Sequence, residues 1–298
     1  MDKQFPELRR LGEKMPNYRE VMELAEKIFL EKQRVKIEGT FPPIALDPVK
    51  ARIQLQEGFP YLRPAEIPLD PAWTGSYFFH LLEVFKELNP AKHEALRKSL
   101  ETHGFVFDQF LRRLLENRLT EIHFAEEWGD KGSLLLFFLV QSLKPTFELH
   151  AASWRMQQKE LSFAQGFCPF CGGLPGLAEI REEGRRVLHC PLCATEWEYP
   201  RMKCVYCQNE DQEKLTSFQI EGEVGYRVDI CLHCQQYLKT IDAREREGSR
   251  DWEIEDYLTL PLDYLAQQEG YGRPEGLFVE IRQTSCLAEK HKATHPFF

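Results

Sequence analysis

Eight of the nine cysteines lie in four Cys-x-x-Cys pairs within one part of the chain. Two thiolates separated by two residues can hold one side of a tetrahedral metal ion, and a second pair returned by a hairpin completes four sulfur ligands. In a reducing compartment such pairs are more often metal sites than disulfides, and free or disulfide-linked thiols are the alternative interpretation. The candidate metal ligands are Cys168, Cys171, Cys190, Cys193, Cys204, Cys207, Cys231 and Cys234.

The spacing between the pairs favours two sequential sites. Eighteen residues separate Cys171 from Cys190, and 23 separate Cys207 from Cys231, so each gap suits a short hairpin. We therefore predict one ion on the first two pairs and a second on the last two, with interleaved pairing as the alternative. Four sulfur ligands leave no open coordination position for hydrolysis, which favours a structural role. Iron held in this way could also transfer an electron.

The charge of the chain bears on its partners. The formal net charge is −9 over 298 residues, whereas proteins that bind nucleic acid present a basic face. A zinc ribbon that binds nucleic acid is therefore the least favoured hypothesis.

The first residues lack the apolar core of a secretory signal, and the longest apolar run, 134–140, is far below the roughly 20 residues that span a bilayer. We expect a cytoplasmic protein that does not insert into a membrane.

Helical periodicity dominates the first half of the chain. The run 134–140 is apolar all round, which predicts the central, buried helix of a bundle. A stripe of Phe and Leu side chains within 107–122 predicts core packing rather than a cofactor groove. Predicted helices cover 18–36, 47–56, 76–88, 92–100, 107–128, 133–143 (ending at Pro145) and 147–159.

Beyond residue 162 the pattern changes to short strands and tight turns, with a hairpin predicted over 215–220 and 226–230. A helix follows over 252–268, in which Pro261 marks a kink or a new turn. Its acidic beginning, from Asp251 to Asp256, predicts a solvent-exposed face that benefits from the helix dipole. We predict an α+β multidomain protein with four regions: an all-helical domain (1–162), two rubredoxin-like or zinc-ribbon metal modules (163–201 and 202–245), and a C-terminal helix and tail packing on the modules (246–298).

Other side chains near the cysteines are expected to support the sites rather than act in them. His189 and His233 should donate hydrogen bonds or lie at the surface, because four cysteines already fill each site. Trp197 and Tyr237 are expected to pack around the metal sites, and Cys286 to be a free thiol in the tail. We find no Gly-rich phosphate loop, nucleophile elbow or His-Glu-x-x-His helix, so no enzyme activity is predicted.

The four cysteine pairs occur in a fixed order with short motifs around and after them, and this series is more specific for a family than any single pair. The motifs are Phe167, Gly172-Gly173-Leu174-Pro175, Thr195-Glu196-Trp197, Arg201-Met202-Lys203, Tyr237-Leu238-Lys239, Leu260-Pro261-Leu262-Asp263-Tyr264-Leu265 and Glu269-Gly270-Tyr271. Together, over 155–272, they resemble the FdhE family of formate dehydrogenase accessory proteins.

The resemblance implies a helical N-terminal domain and two rubredoxin-like modules that use all eight paired cysteines as metal ligands. It implies two ions per chain, with iron the ion usually discussed and zinc accepted by the same sulfur geometry. It also implies a non-enzymatic role in maturation, in which the protein binds the catalytic subunit of formate dehydrogenase before that subunit is active or exported. An electron-transfer protein that uses iron is the main alternative function.

Overall fold

The computed structural model describes residues 5–39, 41–117, 126–156, 163–220, 224–246 and 251–279. Within them, a helical region comes first, a six-stranded sheet follows, and further helices close the described chain. The helices are α1 (Pro6–Lys14), α2 (Arg19–Glu38), α3 (Pro48–Gln56), α4 (Pro71–Leu88), α5 (Pro90–Thr102), α6 (Phe107–Leu115), α7 (Gly132–Arg155), α8 (Trp252–Leu258) and α9 (Leu260–Gln268). This arrangement confirms the predicted α+β class.

Side-chain caps decide where several helices begin. The Asp70 carboxylate accepts hydrogen bonds from the backbone amides of Ala72 and Trp73, and Pro71 occupies the first turn of α4. Proline fits this position because its missing N–H would have no partner there, and its fixed φ suits a helix. Helix α4 therefore begins five residues before the predicted start at Ser76. Asp47 caps α3 in the same way, so this helix begins at Pro48, one residue after its predicted start.

Helix α7 forms the centre of the helical region and packs against α2 and α4. The prediction that Pro145 ends this helix is wrong, because α7 continues through Pro145 to Arg155. A proline inside a helix costs about 3 kcal/mol. Leu139, Leu143 and Phe147 around it are completely buried, and each such side chain contributes about 1.5–3 kcal/mol. Their burial offsets the lost hydrogen bond.

The predicted apolar stripe is part of the core. Phe107, Phe110, Leu111 and Leu114 are buried on α6, where they join the main hydrophobic cluster. Helix α6 ends at Leu115 rather than at Trp128. The continuation of the stripe to Leu119 and Ile122 lies outside the described residues.

The sheet joins both cysteine-rich regions. Its strands are β1 (Leu177–Ile180), β2 (Arg186–His189), β3 (Glu196–Glu198), β4 (Leu215–Phe218), β5 (Tyr226–Cys231) and β6 (Gln236–Asp242), in the order β3-β2-β1-β6-β5-β4. Strands β1 and β2 form one hairpin, and β4 and β5 form the predicted second one. Parallel pairing of β1 with β6 places Leu177 opposite Lys239 and makes the two halves one sheet.

The C-terminal helices connect the sheet to the helical region. Helix α8 packs against α1 and α2, whereas α9 packs against β5 and β6. Pro261 lies in the first turn of α9 and so begins a new helix. The predicted solvent-exposed acidic face is wrong for Glu253 and Glu255. The side chain of Glu253 is 12% exposed and pairs with Lys32 and Lys144, and Glu255 is buried. The described helices include none that is long and apolar enough to cross a membrane.

Candidate metal centres

The first two cysteine pairs meet in one cluster, named here the first centre: Cys168, Cys171, Cys190 and Cys193. The Sγ atoms of Cys168 and Cys193 are 3.5 Å apart, and Sγ of Cys171 lies 3.7 Å from that of Cys190. A tetrahedral ion with metal–sulfur bonds of about 2.3 Å requires sulfur–sulfur edges of about 3.8 Å. The cluster therefore has the dimensions of a four-thiolate metal site, and disulfide bonds, at about 2.05 Å, are absent from it.

The last two pairs form the second centre: Cys204, Cys207, Cys231 and Cys234. Its closest sulfur pairs are Cys204 with Cys234, at 3.8 Å, and Cys207 with Cys231, at 3.6 Å. The four sulfur atoms all lie within 4.8 Å of one another. The fold thus brings the pairs together sequentially rather than interleaved, and each cluster could hold one metal ion.

A shared backbone turn directs the sulfur atoms of each pair to the same side. The residue after each pair has a left-handed conformation, with φ between 55° and 72°. Its amide donates a hydrogen bond to the carbonyl of the first cysteine of the pair, as in Gly172 to Cys168 at 2.9 Å. The other three residues in this position are Ala194, Gln208 and Gln235.

Hydrogen bonds within the second centre prepare it for a cation. The thiol of Cys234 and the backbone amides of Cys207 and Tyr206 lower the pKa of Cys204 to about 5, although burial opposes ionisation. The same hydrogen bond raises the pKa of Cys234. One thiolate is therefore available at neutral pH to begin metal binding, and a bound cation would displace the remaining protons.

The two centres differ in their exposure. All four cysteines of the first centre are buried and belong to the main hydrophobic cluster that extends through the helical region. In the second centre, Cys207 and Cys234 are partly exposed. The first centre is therefore an integral part of the core, while the second opens toward the surface.

Of the aromatic residues expected to pack around the metal sites, Trp197 belongs to the hydrophobic cluster of the first centre, whereas Tyr237 belongs to a second cluster that contains none of the eight cysteines. Trp197 is buried, and its Nε1 donates to the carbonyl of Gln165 at 2.9 Å. Tyr237 is completely buried and donates to Asp263 at 2.8 Å. His233 is exposed in the last pair, whereas His189 is buried and stacks on Trp252 with ring centroids 3.9 Å apart. Neither histidine belongs to a cluster, and Cys286 lies outside the described residues.

A buried ionic network connects the helical region to α8, and the sequence pattern did not predict it. Nζ of Lys32 lies 2.6 Å from Glu148 and also contacts Glu253. Nζ of Lys144 lies 2.7 Å from Glu253, and that of Lys36 lies 2.8 Å from Glu148. The sequence signal for this network was Lys144, a charged residue in a largely apolar helix, because buried charges require partners.

Comparisons with known proteins agree on one family. A family model described as "FdhE, central domain" matches residues 167–201. The "Protein FdhE homolog" of Aquifex aeolicus is 28% identical over 277 residues, which cover 90% of this chain and 91% of that protein. "Protein FdhE" of Salmonella arizonae is 28% identical over 78% of this chain and 73% of its own length. The crystal structure of the FdhE protein from Pseudomonas aeruginosa has a TM-score of 0.64, at 24% identity, over 90% of this chain and 91% of that chain, and shows the shared fold.

Proposed function

Because this chain belongs to the FdhE family, we propose that it is a cytoplasmic maturation factor that binds the catalytic subunit of formate dehydrogenase. The FdhE relatives and the two four-cysteine clusters support a formate dehydrogenase accessory protein. The observation that carries the proposal is the pair of preformed four-sulfur clusters on one sheet that is packed against a helical body. Four sulfur ligands leave no open coordination position for hydrolysis, so this arrangement suits a scaffold that recognises another protein.

In this proposal the eight paired cysteines hold two ions, either iron or zinc. Four thiolates accept both metals, and the sulfur–sulfur distances of 3.5 to 3.8 Å fit a tetrahedral ion. With a divalent ion and four thiolates, each centre carries a net charge of about −2. The ions stabilise the turns that carry the cysteine pairs, since the free energy of metal binding contributes directly to the folding of small cysteine modules. The donor sets are complete, so no catalytic step is assigned to either centre.

Co-purification from cells tests the proposal. The tagged chain should bring down the formate dehydrogenase catalytic subunit and carry two ions per chain by metal analysis. The Cys231→Ser variant should carry one ion and bring down less of the catalytic subunit. The Cys286→Ser variant is the matched control, because it changes the one cysteine outside the four pairs and should behave like the wild type. Full metal loading without any catalytic subunit would refute the proposed partner.

The partial exposure of Cys207 and Cys234 supports a second candidate function. Iron at the second centre could exchange one electron with a partner, because sulfur ligands at the surface shorten the distance between the iron and the partner. Protein purified under low oxygen should then be coloured and should change its spectrum on reduction. A colourless, zinc-filled protein that fully activates formate dehydrogenase would exclude this function and leave the first proposal standing.

A further inference from the structure

A basic cavity of about 200 Å³ lies beside the second centre. Cys204 and Cys231, the two buried cysteines of that centre, form part of its lining. The charged residues of the lining are four basic ones and one acidic one: Arg186, Arg201, Lys203, Arg227 and Asp229. In a chain with a net charge of −9, this concentration of positive charge next to a candidate metal centre requires a local explanation.

Arg186 is the most buried of the four basic residues. Its side chain is 6% exposed, and its Nη1 donates a hydrogen bond of 3.1 Å to the carbonyl of Lys203, which belongs to the peptide bond that leads into Cys204. Among the described residues, the nearest carboxylate oxygen, on Asp229, is 3.9 Å from Nη2 of Arg186. Burial lowers the pKa of this guanidinium. A positive charge in such a position is costly without a close negative partner.

Asp229 does not neutralise Arg186 by itself, because it also serves a second arginine. Its Oδ1 accepts a hydrogen bond from Nε of Arg227 at 2.7 Å, and its Oδ2 accepts one from the hydroxyl of Thr240 at 2.7 Å. Lys203 pairs with Glu210 at 3.0 Å. Within the described parts of the chain, ion pairs thus connect the four basic side chains of the cavity to two carboxylates. Positive charge remains in excess beside Cys204 and Cys231.

A metal-loaded second centre would supply the missing negative charge. Four thiolates around a divalent ion carry a net charge of about −2, and the cluster becomes more negative as the ion displaces the thiol protons. Charges interact more strongly in a poorly solvated interior than in water. We propose that Arg186 is the buried counter-charge of the second centre and raises the affinity of that centre for a divalent ion. This role rests on the metal loading proposed above.

Two substitutions that change the local charge in opposite directions test the proposal on the full, zinc-loaded chain. Native mass spectrometry at increasing chelator concentrations measures how tightly each ion is held. Arg186→Gln removes a positive charge but keeps an amide donor, and should weaken the retention of one ion about tenfold. Asp229→Asn removes a negative charge but keeps an oxygen that can accept from Thr240, and should strengthen the retention of that ion about threefold. A purely structural role of both side chains predicts weaker retention in both variants.

Further variants assign the effect to the charge of Arg186 and to the second centre. Arg186→Lys keeps the positive charge and should restore most of the affinity that Arg186→Gln loses. Arg185→Gln is the matched control, because Arg185 pairs with Glu198 and is not among the lining residues, and it should leave both ions unaffected. In the Cys231→Ser background, which keeps the first centre intact, the addition of Arg186→Gln should not change the retention of the remaining ion.

The sign of the changes decides the outcome. Weaker retention in both Arg186→Gln and Asp229→Asn, or no change in either, would overturn the proposal and leave the metal centres standing. Saturable binding of inorganic phosphate that Arg186→Gln abolishes, with zinc retention unchanged, would show that the arginine serves a bound anion instead. If Arg186→Gln fails to fold, the direction of the change in Asp229→Asn decides. A wild-type chain that holds no zinc would refute the metal centres and this inference together.

Discussion

At the scale of single residues, the cysteine spacing predicted which sulfur atoms could share an ion. It did not predict the turn that makes this possible. That turn requires a left-handed residue after each pair, and only the first pair is followed by glycine, Gly172. Ala194, Gln208 and Gln235 adopt the conformation without being glycine, so residue type gave no signal. The hydrogen bond back to the first cysteine holds the strained conformation in place.

Substitution of Gln208 tests the importance of this turn. A β-branched side chain is strongly disfavoured at positive φ, so Gln208→Val should destabilise the second centre by about 1–2 kcal/mol. Gln208→Gly is the control and should be at least as stable as the wild type. Thermal unfolding and the rate of metal release to a chelator measure both effects. Equal release rates in the two variants would show that the left-handed turn does not support the centre.

At the scale of elements, helical periodicity predicted where most helices lie. It did not predict where several of them begin and end, or which charged side chains have buried partners. The Asp70-Pro71 cap extended α4, and core burial carried α7 through Pro145. The acidic start of α8 was interpreted as solvent-exposed because sequence pattern alone cannot show a distant partner. Its partners, Lys32 and Lys144, lie more than 100 positions away in the sequence.

Removal of one charged side chain from the buried ionic network should lower the free energy of unfolding. Glu253→Gln leaves Lys144 without its hydrogen-bonded carboxylate in a buried position, which should reduce the free energy of unfolding by about 3 kcal/mol. Denaturant unfolding measures the change. The exposed ion pair of Glu94 with Arg97 provides the control, because Glu94→Gln should have little effect. Similar small effects of both substitutions would argue against a stabilising role for the buried network.

The same carboxylate predicts a dependence of stability on pH. Burial alone would raise the pKa of Glu253, but Lys144 and Lys32 outweigh it and lower the pKa to about 2. In the unfolded chain the pKa is about 4.3. The lowered pKa stabilises the folded state above about pH 4.3, and this contribution is lost as the pH falls toward 2. Wild-type stability should therefore fall more steeply than that of Glu253→Gln in this acid range, as measured by denaturant unfolding. Parallel curves would contradict the assignment.

At the scale of the whole molecule, the repeated order of cysteine pair, hairpin and cysteine pair was visible in the sequence. The joining of the two repeats was not. Strands β1 and β6 pair over a long separation, with Ala178 opposite Thr240, and local patterns carry no information about such contacts. Nor could spacing show that the first centre lies inside the core of the helical region while the second lies nearer the surface.

This arrangement predicts unequal consequences of losing each ion. Cys168→Ser should increase amide hydrogen exchange in α7 as well as in β1 and β2, because Cys168 packs in the same core as α7. Cys231→Ser should increase exchange mainly in β4 and β5, which form the hairpin of the second centre. Hydrogen exchange followed by mass spectrometry resolves these segments. Equal and global effects of both variants would contradict the difference between the centres.

The most direct test of the account is the number of metal ions bound by paired cysteine variants, counted by native mass spectrometry. The wild-type chain should hold two ions. Cys168→Ser with Cys190→Ser changes one centre twice and should leave one ion, whereas Cys168→Ser with Cys204→Ser changes both centres and should leave none. Retention of two ions in the second double variant, or a wild-type chain that binds no metal, would contradict the two sequential four-cysteine centres.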